Sequence, residues 1–247
     1  MKRWRLLAVG FGAYAIGLIV TVPATFVDTG LQRAGSGRLR LAEAQGTVWS
    51  GAGRLEIRDA GGRAGLAVRL AWRIMPSALL RARLAYEVEL DQASSRFPVT
   101  ISLSHIEVGN ADIRLPAAAL GLAVPKLAPL RLTSDVMLRL AGLSFGRTGM
   151  QGSTTLQWRA AGSAYTPISP LGDYELRVEG HGPVVRASLR TLQGPLQLDG
   201  QGSWAYGDNP VFLATARITP EHQRQLAPLL RLIALERGEG RFELQLK

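Results

Sequence analysis

Leu84-Ala85-Tyr86-Glu87-Val88-Glu89-Leu90-Asp91 is the stretch that settles the fold class. Leu84, Tyr86, Val88 and Leu90 alternate with Ala85, Glu87, Glu89 and Asp91, and a period of two sends one set to a dry face and the other to water. The same rhythm runs upstream. Val68, Leu70, Trp72 and Ile74 alternate with Arg69, Ala71 and Arg73, and before them Leu55 and Ile57 stand between Arg54, Glu56 and Arg58. Asp28 to Ala44 is polar and rich in Gly and Arg, which predicts a loop leading into a first strand around Arg38 to Leu41. Pro76 to Arg83 reads as one helical turn. Downstream, Val99, Ile101 and Leu103 form another strand, and Ile106 and Val108 change parity, which predicts a bulge near Ser104 and His105.

The theme returns in the second half of the chain. Val136, Leu138 and Leu140 alternate with Met137 and Arg139; Leu156 and Trp158 lie between Thr155, Gln157 and Arg159; Tyr174, Leu176 and Val178 lie between Glu175, Arg177 and Glu179. Further strands are predicted at residues 184–189, 195–198, 212–218 and 241–246. Two segments break the rhythm. Leu115 to Leu127 carries no charge before Lys126 and reads as a short buried helix, with Pro116 at its start and Pro125 past its end. Pro220 to Leu235 suits an amphipathic helix that Pro228 bends or splits. The predicted architecture is mainly β: a curved antiparallel sheet or sandwich-like domain with one or two short helices. Residues 115–130 fall where two similar halves would meet. Gly46-Thr47-Val48-Trp49-Ser50-Gly51 and Gly200-Gln201-Gly202-Ser203-Trp204 point either to an internal duplication or to Gly/Trp pairs that arise wherever sheets pack.

Ahead of this domain, Lys2, Arg3 and Arg5 precede an uncharged run from Leu6 to Val27. As a helix that run is about 33 Å long, slightly more than the hydrocarbon core of a bilayer. The basic side stays in the cytoplasm and the remainder crosses. The expected layout is residues 1–5 cytoplasmic, 6–27 a transmembrane helix with Leu6, Phe11, Ile16, Val20 and Val27 as anchor residues, and 28–247 a periplasmic β-rich domain of a bacterial inner-membrane protein. A signal peptide is the alternative, because Val22-Pro23-Ala24 supplies small residues for cleavage before Thr25.

The formal net charge is +10, and +7 without Lys2, Arg3 and Arg5. The excess is Arg spread along strands, a solvated face rather than a nucleic-acid site, and export argues against nucleic acid again. Anionic headgroups or an acidic protein suit it better. Cysteine is absent, so a large exported domain must be held by its core, and thiol, zinc-cysteine and redox chemistry are excluded. The histidines His105, His181 and His222 sit on different elements with no metal-ligand spacing. Ser50 and Ser203 lack a G-x-S-x-G setting, and no phosphate-binding loop occurs. Glu87, Glu89 and Asp91 share one strand face and read as a wet surface rather than a catalytic pair. No catalytic, metal or cofactor residue, and no small-molecule substrate, is predicted. Trp49, Trp72 and Trp204 stand out as structural or interface candidates, with core packing the plain explanation.

Gly46-Thr47-Val48-Trp49-Ser50-Gly51-Ala52-Gly53, then Leu70-Ala71-Trp72-Arg73 with Pro76 and Leu79-Leu80, resembles the first half of type II secretion system protein N. Leu171-Gly172-Asp173-Tyr174, Gly200-Gln201-Gly202-Ser203-Trp204 and Leu232 to Leu246 are similar to its second half. The resemblance covers nearly the whole chain. It implies an accessory inner-membrane component of the apparatus that exports folded proteins from periplasm to exterior, with inner-membrane platform proteins and the outer-membrane secretin as partners, and it carries over no catalytic residue. Membrane lipid is the other contact expected of an anchored chain. A second resemblance, to AsmA-like envelope proteins, would make the apolar face a groove for lipid. An envelope hydrolase lacks any nucleophile and base pair.

Overall fold

The computed structural model describes residues 10, 11, 14, 17, 18, 20–59, 62, 64–80, 83–238 and 240–246. The chain is mainly β and antiparallel, and it divides into two compact units, Met1–Met75 with Tyr86–Asp91 and Pro76–Ala85 with Gln92–Lys247.

The first unit is a meander of β1 (Leu39–Gly46), β2 (Ser50–Arg58), β3 (Ala64–Ile74) and the part of β4 (Leu84–Leu90) from Tyr86 onward. Its register sets Leu55 opposite Val68, Gly51 opposite Trp72, and Trp72 opposite Val88. Helix α1 (Thr25–Ala34) precedes β1, where the composition predicts a loop. Gly30 and two threonines hide its helical character; packing supplies what propensity lacks. Val27 and Leu31, one turn apart, pack on Ala24, Leu41 and Trp72. Asp28 Oδ1 accepts from the Leu41 amide at 2.7 Å, and its other oxygen accepts from Gln32 Nε2 at 2.7 Å. The helix thereby covers the outer edge of β1, which would otherwise invite another strand.

The N-terminal run does not continue as one helix to Val27. Its described residues are helical up to Val20, and the Thr21 amide makes the last helical bond, to Gly17 O at 3.1 Å. Pro23 then forms an isolated antiparallel bridge with Thr47, and α1 begins two residues later. Among the described residues no helix is long and apolar enough to cross a membrane.

In the second unit α2 (Pro76–Leu79) is the single helical turn predicted there. The strands are β5 (Phe97–Ile101), β6 (His105–Val108), β7 (Ala111–Pro116), β8 (Leu132–Thr133), β9 (Asp135–Gly146), β10 (Gly149–Ser163), β11 (Gly172–Gly182), β12 (Val184–Gln193), β13 (Leu196–Ala205), β14 (Phe212–Ile218), β15 (Leu235–Gly238) and β16 (Arg241–Leu246). They run in the order β5-β6-β9-β10-β11-β12-β13-β14-β16-β15, with β7 also on β9 and β8 on β10. The parity change after Leu103 is a hairpin rather than a bulge: the Ser102 amide donates to His105 O at 2.9 Å and β6 returns along β5.

Pro116 ends β7 instead of starting a helix. Helix α3 (Ala118–Ala123) and a 3-10 turn at Pro125–Leu130 follow, inside the second unit. No residue of α3 is fully buried; Ala117 and Leu130 on either side are. The predicted C-terminal helix is a 3-10 turn at Pro220–His222 and α4 (Gln223–Leu230), with Pro228 inside it and Leu226, Ala227, Leu229 and Leu230 buried. These segments close one end of the dry face. Leu226 and Phe242 are at most 1% exposed there, beside Val136, Trp158, Tyr174 and Ile218. Further along the same strands, Ala187, Phe212 and Ala214 continue the buried layer.

In each unit an aromatic ring lies over a glycine, which gives the two Gly/Trp stretches a common physical cause. A Cβ on Gly51 would meet Trp72 Cζ2 and Gln45 O, each at 2.5 Å, and one on Gly200 would meet Phe212 Cε1 at 2.7 Å. Gly51→Ala is therefore expected to destabilise the chain by about 1–3 kcal/mol. Gly30→Ala, on an exposed face of α1 with nothing within 4 Å, should stabilise it by about 0.5–1 kcal/mol. Denaturation of the detergent-solubilised chain measures both, and equal effects would count against this packing.

Candidate functional site at the turn receiving the N-terminal segment

The turn between β1 and β2 is built around Thr47. Its amide donates to Ser50 O at 2.9 Å, and its Oγ1 accepts from the amides of Trp49 and Ser50 at 3.2 and 3.3 Å. Gly46 enters the turn at φ +90°, where a Cβ would lie 2.5 Å from Ser50 O. The Thr47 and Val48 carbonyls point inward, and the buried Trp72 indole N–H is shared between them at 3.2 Å each. A buried indole needs such an acceptor, so the ring that fills the core also fixes the turn.

On its other side the turn holds the incoming chain. Val48 N donates to Val22 O at 3.0 Å and Ala24 N donates to Gly46 O at 3.1 Å. Ala24 is buried, and Val27 packs in the Trp72 cluster. Val27 thus belongs to the packing of the first unit, whereas Phe11 and Val20 are 74% and 56% exposed; Leu6 and Ile16 lie outside the described residues. Trp49 is half-buried, and its carbonyl accepts from the Ile74 amide at 2.6 Å, which brings the end of β3 to the same place.

The second unit repeats the device. Trp158 Nε1 donates to Thr133 O at 3.2 Å, and both tryptophans reach a threonine 25 positions earlier in the chain. Leu70-Ala71-Trp72-Arg73 and Leu156-Gln157-Trp158-Arg159 carry this likeness, which the comparison of Gly46–Gly51 with Gly200–Trp204 misses. Tyr174 packs against Trp158 with ring centroids 5.8 Å apart, and its hydroxyl donates to Leu196 O at 2.8 Å. Burial, and then the Asp173 charge, push that hydroxyl well above the ordinary tyrosine range, so it stays a neutral donor. Trp204 is half-buried on β13 and packs on the clusters of Leu143, Met150 and Val185 and of Ala187, Phe212 and Ala214.

Elsewhere the polar groups partner one another across strands. Glu175 accepts from Gln157 Nε2 at 2.9 Å and from Arg190 at 2.6 and 3.0 Å; the Gln157 bond first, and then Arg190, hold its carboxyl below the usual range. Glu87 stands opposite Arg73 in the β3–β4 register. His105 lies 3.0 Å from Glu107, His222 lies 3.0 Å from Thr219 Oγ1, and His181 is exposed on β11. Among the described residues no three metal-binding side chains converge. An open cleft of about 490 Å³ lies beside Lys126, Leu213, Leu235 and the Arg237–Glu243 ion pair. Lys126 Nζ donates to Gln245 O there at 2.7 Å, so this cation is used within the chain.

The family model of the type II secretion system (T2SS), protein N, matches residues 37–245. The chain belongs to that family. It is therefore a component of type II secretion, with other parts of that system as its companions. No curated protein and no solved structure matches it.

Trp72→Phe removes the indole N–H and the outer-ring atoms over Gly51, stranding the Thr47 and Val48 carbonyls, at an expected cost of at least about 1–3 kcal/mol. Thermal unfolding of the full chain measures it, and an unchanged midpoint would show that the bond does not hold the turn.

Proposed function

We propose that the chain is an accessory inner-membrane component of the type II secretion system that acts by protein contact, with no chemistry of its own. The family match over residues 37–245 carries this reading. The uncharged run behind Lys2, Arg3 and Arg5 supports one membrane pass by the N-terminal segment, with the β-rich region on the periplasmic side. Its partners are the inner-membrane platform proteins of that system and the outer-membrane secretin. The dry face of the second unit favours this scaffold over lipid carriage, because residues of α4 and Leu130 pack into its buried cluster and occupy that part of the face.

Deleting the gene is expected to reduce release of exported proteins or to lower the level of a platform protein, and re-expression of the full chain restores both. Unchanged secretion and platform levels, with lipid co-purifying with the chain, would replace this reading with the lipid-binding one.

A further inference from the structure

The N-terminal segment enters the first unit at one end, and large apolar side chains are exposed close to that entry. Val22 and Ala24 are bonded to the β1–β2 turn, and Ile74 is bonded to Trp49 in the same turn. Phe26 follows within the first turn of α1, its amide donating to Pro23 O at 3.2 Å, and its side chain is 63% exposed. Met75, directly after Ile74, is 42% exposed, and Trp49, in the turn that Ile74 is bonded to, is half-buried. An aromatic ring, an indole and a thioether thus gather within a few residues of the point where an uncharged helix leaves the domain. Indole and phenyl groups at such a level partition into the headgroup boundary of a bilayer.

We propose that this end of the first unit, through Phe26, Trp49 and Met75, seats in the headgroup boundary of the membrane that the N-terminal segment enters. The inference rests on the anchored reading above and adds a second contact with lipid. Continuity with the segment selects lipid as the occupant. Phe11, Tyr14, Leu18 and Val20, all exposed, lie just ahead of Val22, and three backbone bonds fix Val22, Ala24 and Ile74 to one turn, so these side chains are held at the depth where the segment surfaces. The domain is then seated on the membrane rather than swinging on a linker.

The absence of cysteine makes the test direct. Single variants Phe26→Cys, Met75→Cys, Val20→Cys and Ala67→Cys of the full chain are spin-labelled and reconstituted in phosphatidylcholine–phosphatidylglycerol vesicles. Each is first checked for the parent melting temperature. Ala67 is exposed on β3, about 26 Å along the strand from Met75, and serves as the aqueous reference. Labels at 26 and 75 are expected to gain collisions with oxygen and lose collisions with a nickel chelate relative to the label at 67, as the label at 20 does. If the label at 20 is immersed while those at 26 and 75 match 67, the seating fails and the anchor stands. If all four are aqueous, the anchor fails and the seating with it. Labels at 26 and 75 shielded from both reagents would signify a protein contact there and overturn the lipid assignment.

Discussion

A buried indole must place its N–H on an acceptor, and in the first unit that requirement joins the core to the entry of the chain. Trp72 fills the space over Gly51, and its donor holds the Thr47 and Val48 carbonyls. With those carbonyls turned inward, the amide of Val48 and the carbonyl of Gly46 are left facing Val22 and Ala24. Helix α1 then starts in the one place from which Val27 and Leu31 reach the Trp72 cluster and Asp28 reaches the Leu41 amide. Edge protection, helix placement and docking of the N-terminal segment all follow from one side chain. The second unit meets the same requirement with Trp158 and Thr133, and reinforces it with Tyr174.

Much of this was legible in the alternation of apolar and polar residues. Strands β3, β4, β9, β11 and β14 lie where a period of two places them, because a sheet with one wet face must write that period into its sequence. The elements that escape are those stabilised by something other than periodicity. Helix α1 has Thr25, Asp28, Thr29 and Gly30 in its body and stands on tertiary contacts. The β5–β6 hairpin mimics a bulge because a short turn and an inserted residue both shift parity. Strands β7 and β8 are short and their apolar content merges with the neighbouring helical segment.

The candidate site was legible only in part. Trp49 and Trp72 attract attention as residue types, yet composition does not say that one ring is buried and pinned while the other is half-buried in the turn. Val27 looks like the last residue of a membrane span and is a packing residue of the first unit, since Pro23 leaves the helix and forms a bridge with Thr47. The stretch from Asp28 that reads as a loop begins in a helix bonded to a strand.

That docking is the central claim, and a chain without cysteine allows it to be read by cross-linking. Pro23 and Thr47 are antiparallel bridge partners, a spacing of about 4.5–5.5 Å between Cα atoms that a disulfide spans. In membranes containing the full chain, the double variant Pro23→Cys, Thr47→Cys should close to a disulfide under mild oxidation and still support secretion. A pair that stays reduced, while the variant remains folded and membrane-bound, would contradict the account.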